Sequence, residues 1–67
     1  MTTLYDIYDG DAYAVDVSPQ GDVIQVLRFL NNQQRHPVIE DFADLDEELR
    51  DKLNSRIAKL PLETYND

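Results

Sequence analysis

The chain has 67 residues, no cysteine, and a formal net charge of −8 at pH 7, from 14 acids against 6 lysines and arginines. That length makes one domain at most, and without cysteine neither a disulfide nor a thiolate metal site can reinforce it. The acidity repels nucleic acid and anionic membrane surfaces, and no apolar run approaches the ~20 residues of a membrane span.

The first residues, Met1 to Asp6, carry neither a basic n-region nor an apolar h-region. They are not a secretory signal, so the expectation is a cytoplasmic protein. Tyr5 and Ile7 then alternate with Leu4, Asp6 and Tyr8, and Ala12 to Val17 alternate again, with Tyr13, Val15 and Val17 on one side. Both stretches have the period-2 pattern of half-buried strands. Asp9-Gly10 between them is a hairpin turn signal. Its length decides the register. A three-residue loop, Tyr8-Asp9-Gly10, opposes Tyr5 to Tyr13 and Ile7 to Asp11, and gathers Tyr5, Ile7, Tyr13, Val15 and Val17 on one coherent face. A two-residue loop splits them. Because a one-residue slip inverts every side chain, the coherent face selects the longer loop, with Asp6, Tyr8 and Asp16 outside.

Ser18-Pro19-Gln20-Gly21 reads as a second turn, with proline presetting φ and glycine following. Asp22 to Leu30 is a third, more uniformly apolar strand, suited to heavy burial or to contact with a partner. Residues 31 to 37, rich in Asn and Gln and ending in Pro37, form a polar loop, and Val38-Ile39 a short edge segment. Asp44-Leu45-Asp46-Glu47 matches a capping box with Asp44 as N-cap. Leu45, Leu49, Leu53, Ile57 and Leu60 line one helical stripe until Pro61 stops it. Residues 62 to 67 read as a flexible tail. The predicted fold is α+β: a three-stranded antiparallel meander (about 3–8, 11–17 and 22–30) with one C-terminal helix (about 45–60) on one face.

The charges are unevenly placed. No lysine or arginine precedes Arg28, whereas Asp6, Asp9, Asp11, Asp16 and Asp22 all do. A second acidic block, Glu40 to Glu48, is followed by the cations Arg50, Lys52, Arg56 and Lys59. Acids at the helix start and bases at its end complement the macrodipole, and aspartates in turns serve local backbone bonding. Neither role explains the lack of compensating lysine in the strands. Carboxylates on one strand face recur about every 6.6 Å, so Asp6 and Asp16 with their neighbours can imitate a row of phosphates. The candidate partner-binding residues are therefore Asp6, Tyr8, Asp9, Asp11, Asp16, Asp22, Glu40 and Asp41.

Catalysis and cofactors are not expected. His36, the only histidine, sits in a polar loop with no positioned nucleophile. One histidine and no cysteine make zinc improbable, Asp9-Gly10-Asp11 lacks the ligand series of a calcium loop, and two glycines cannot build a phosphate loop. The sequence points to a small acidic non-catalytic binding protein that engages a basic protein, such as an inhibitor filling the nucleic-acid groove of a restriction or CRISPR-type complex. An antitoxin of a basic toxin has the same physics. The alternative is an assembly subunit or homodimer that uses the apolar third strand.

Overall fold

A computed structural model describes residues 1–61. Four strands, β1 (Thr2–Tyr8), β2 (Asp11–Val17), β3 (Val23–Phe29) and β4 (Val38–Glu40), form one antiparallel sheet in sequential order. The helix α1 (Glu47–Ala58) follows. The architecture is α+β as expected, with Val38–Glu40 completing a fourth strand that pairs Leu27 with Ile39 and Arg28 with Val38. The proposed tail, residues 62 to 67, lies outside the described residues.

The core lies between one sheet face and α1. Leu4, Tyr13, Val15, Val17 and Val26 from the sheet meet Leu45, Leu49, Leu53 and Ile57. The apolar stripe read from the sequence is thus the buried side of the helix, with Leu60 partly buried against the same cluster. Fully burying each such side chain is worth about 1.5–3 kcal/mol, and in so short a chain that burial must offset most of the ordering entropy.

The first hairpin corrects the expected register. Its loop has two residues, Asp9 (φ 51°) and Gly10 (φ 83°), the two positive φ values of a type I′ turn that matches strand twist. Tyr8 opposes Asp11, Ile7 opposes Ala12, Asp6 opposes Tyr13, and Tyr5 opposes Ala14 rather than Tyr13. Side chains Leu4, Asp6 and Tyr8 therefore point to the helix side with Tyr13 and Val15, while Tyr5 and Ile7 point away. Both faces of this sheet are apolar, so either register gathers hydrophobic residues and the apolar pattern does not select the longer loop.

The second turn is as expected. The Gly21 amide donates to the Ser18 carbonyl at 2.9 Å, and the Ser18 amide donates to the Asp22 carbonyl at 2.8 Å. The helix start is shifted by two residues. Asp46, not Asp44, caps α1, accepting from the Glu48 amide at 3.0 Å. Asp44 closes a short 3-10 turn, Phe42–Asp44, which Asp41 caps by accepting from the Ala43 amide at 3.2 Å.

Candidate functional site

The corrected register redistributes the acids. Asp6 and Asp16 lie on opposite sheet faces, so the row of carboxylates they were expected to share does not form. Asp6 lies against the helix, with Lys52 Nζ at 3.1 Å and Arg56 Nη1 at 3.7 Å. Arg56 Nη1 also donates to the Tyr5 carbonyl at 2.7 Å. Tyr8 is likewise on the helix side and half-buried, its hydroxyl donating to Glu48 Oε2 at 3.3 Å. Asp46 lies beside the same hydroxyl and is the larger influence on its proton. Hydrogen bonding to Asp46, desolvation, and the charges of Asp46 and Glu48 push the phenol up to about 12.

Asp11 is buried and binds in two directions. Its Oδ2 meets Arg28 Nη2 at 2.8 Å and Nε at 2.9 Å, and its Oδ1 accepts from the Asn31 amide at 2.8 Å. The Asn31 amide bond and the Arg28 hydrogen bond hold this carboxyl below the usual carboxylate range, against the desolvation that opposes them. Arg28 also reaches Glu40 Oε1 at 3.4 Å. Burial of the Tyr13 ring moves its pKa up, against the smaller opposing effect of the charge on Arg28, its cross-strand partner.

The other candidates are more ordinary. Asp16 faces away from the helix and accepts the Thr3 hydroxyl at 2.7 Å. Asp22 is exposed in the second turn, its amide donating to Ser18 Oγ at 3.0 Å. Asp41 caps the 3-10 turn, and Asp9 is exposed in the first turn. Of the eight candidates, Asp6, Asp11 and Glu40 are thus ion-paired within the fold. The structure brings Tyr8, Asp9, Asp11, Glu40, Asp44 and Asp46 together around a cleft of about 190 Å3 at one end of the sheet. There, among the described residues, Asp9, Asp44, Asp46, Glu47 and Glu48 have no cation within ion-pair distance. No cluster of three or more His, Cys, Asp or Glu among the described residues is arranged to hold a metal ion. Nor is any described helix long and apolar enough to cross a membrane.

Sequence reasoning missed the other side of the sheet. The register assigns ten strand positions to the face away from α1: Thr3, Tyr5 and Ile7; Ala12, Ala14 and Asp16; Gln25, Leu27 and Phe29; and Ile39. Asp16 is the only charged residue among them. Tyr5 is 71% exposed, Ile7 60% and Ile39 72%. One row, Tyr5–Ala14–Leu27–Ile39, crosses all four strands. A shallow groove of about 490 Å3 runs beside Tyr5 and Ile7 over Ala12 towards Phe29 and Asn32, and Gln33 and Gln34 extend its wall. The signal was present as two interleaved apolar alternations, Leu4/Tyr8 and Tyr5/Ile7, of which a single-core reading keeps only one. No family model, no curated protein and no solved structure matches this chain.

Proposed function

We propose that this protein is a small non-catalytic binding module that docks on another protein through the helix-free face of its sheet. The observation that carries this reading is an apolar row across all four strands, exposed at Tyr5 and Ile39 with exposed Ile7 beside it, on a chain of net charge −8. Singly exposed hydrophobic residues are normal, whereas a contiguous uncharged patch marks an interaction surface. The sheet edges are poorer candidates for docking. Arg56 occupies the Tyr5 carbonyl in the middle of β1, and β4 is three residues long.

A second reading rests on the acidic end. Asp9, Asp44, Asp46, Glu47 and Glu48 present carboxylates to which a basic protein surface is complementary. An inhibitor of a nucleic-acid-binding protein, or an antitoxin, would use this end rather than the strands. The internal pairing of Asp6, Asp11 and Glu40 leaves it fewer free carboxylates than the sequence suggested.

Capture from lysate on immobilised protein at about 50 and about 500 mM salt separates the two. Docking through the sheet face retains a partner at the higher salt and loses it with Ile39→Asp. Docking through the acidic end loses it at the higher salt and with Glu47→Gln plus Glu48→Gln, and ignores Ile39→Asp. Retention that none of these changes alters would overturn both.

A further inference from the structure

We infer that the occupant of the helix-free sheet face is a second copy of this chain, packed face to face in a two-fold dimer with its strands running antiparallel. The inference rests on the docking reading above and names its partner.

Charge placement favours this pairing. A chain of net charge −8 repels its own copy, and the repulsion is least where charges are fewest and farthest away. The outer face carries one charged residue in ten strand positions. The ion pairs of Asp6 and Asp11 and helix α1 lie on the opposite side, and the acidic cluster lies at one end of the sheet. Two copies joined by this face keep those charges apart, with the two sheets about 10 Å from each other and the helices outermost.

The two ends of the face carry different charged groups. At the end where β2 finishes and β3 begins lie Asp16 and Asp22. At the other end the chain leaves β3 through Asn32, Gln33 and Gln34, which wall the groove, and continues into Arg35 and His36. A two-fold axis running across the strands lays β3 of one copy over β3 of the other in the opposite direction. The end of each copy that carries Arg35 then lies over the end of the other that carries Asp22, and the contact occurs twice. Such a self-complementary patch is what an isologous interface requires. An axis along the strands would instead superpose like ends.

Size and shape agree. Strands about 4.8 Å apart with about 3.3 Å per residue give the face a footprint of roughly 400 Å2 before side-chain relief. With Tyr5, Ile7, Leu27, Phe29 and Ile39 projecting, and the loop wall added, the contact falls below the standard size of about 800 Å2 per partner, at the small end of specific interfaces. Area alone does not fix affinity, but a contact of this size suits a weak, reversible dimer. The alanine floor of β2, Ala12 and Ala14, leaves space for the large side chains of the other copy.

Sedimentation equilibrium from about 1 to about 500 μM tests the inference. The wild type is expected to move from monomer to dimer over that range. Tyr5→Asp and Ile39→Asp, at positions too exposed to threaten the fold, should each weaken the dimer about 100-fold or more, with circular dichroism unchanged. Arg35→Asp should weaken it about fivefold at low salt, and adding Asp22→Arg should restore it. A wild type that stays monomeric throughout overturns self-pairing but not docking, which the lysate capture tests separately. A dimer indifferent to both Tyr5→Asp and Ile39→Asp removes this face from either role. A dimer sensitive to those two, but with no recovery in the charge-swapped variant, overturns the antiparallel arrangement.

Discussion

Asp11 shows how far one side chain can depart from its first interpretation. As a turn-flanking acid it looked like surface; it lies instead on the core face with Tyr13 and Val15, where Arg28 and the Asn31 amide hold its charge. Its folded pKa is depressed, so its contribution is present above the unfolded value, near 3.8, and is lost as pH falls through the lower folded value. Denaturant melts from pH 7 down to about pH 2 should show the wild type losing stability below about pH 4. Asp11→Asn should be less stable at pH 7 and lose less on acidification; equal acid sensitivity in the two proteins would refute this. Tyr8 has the opposite sign. Its phenol is raised to about 12, so its contribution is complete below about pH 10 and is lost as pH rises through the folded value. A titration followed by tyrosinate absorbance should contain a late step near pH 12, and Tyr8→Phe should lower its amplitude by one phenol, leaving any part that belongs to the raised Tyr13. An unchanged amplitude in Tyr8→Phe would show that the Tyr8 phenol is not raised.

Among the elements, the helix was the most legible and its cap the least. The stripe Leu45, Leu49, Leu53 and Ile57 needs only the 3.6-residue period to be seen. Two aspartates two residues apart, Asp44 and Asp46, both satisfy the chemistry of an N-cap. The choice between them depends on where the 3-10 turn at Phe42–Asp44 ends, which is a matter of tertiary packing. Asp46→Ala should cost about 1 kcal/mol and Asp44→Ala only a few tenths, measured by urea unfolding; the reverse order would restore the earlier cap. The strands were legible as strands, and the second turn was read correctly. The register was not, because Tyr5/Ile7 and Leu4/Tyr8 are both plausible inward sets and only the presence of a helix on one side distinguishes them. The same ambiguity hid the outer face, and with it the distinction between neighbours on β3. Val26 is 1% exposed in the core, whereas Leu27 pairs with Ala14 and Ile39 on the open side. Val26→Asp buries an unpaired charge and should unfold the domain, at a cost of several kcal/mol. Leu27→Asp should leave the thermal transition within a few degrees of the wild type and abolish self-association. Unfolding by Leu27→Asp as severe as that by Val26→Asp would mean the outer face is part of the core.

For the whole molecule, the deciding quantity is how its charge responds to salt. Three cations, Arg28, Lys52 and Arg56, are tied to Asp6, Asp11 and Glu40, and they neutralise the part of the sheet that covers the core. The net charge of −8 is therefore carried mainly by the acidic end and the exposed turns, where solvent and ions reach it. Exposed charges separated by more than about 10 Å are screened at 0.1 M salt, whereas the part-buried Asp11–Arg28 pair is screened much less. Added salt thus removes long-range repulsion faster than it weakens the pairs that brace the fold. The melting temperature of a dilute, monomeric sample should rise between about 20 and about 300 mM sodium chloride. The same screening acts between two copies that meet through a nearly uncharged face, so dimerisation should strengthen, or at least hold, over that range. Binding through the acidic end to a basic partner has the opposite slope, because there salt screens attraction. A melting temperature that falls on adding salt would show that the internal ion pairs, and not the net repulsion, dominate the electrostatic balance. A self-association that dissolves with salt would show that the copies meet through their charges rather than through Tyr5, Leu27 and Ile39.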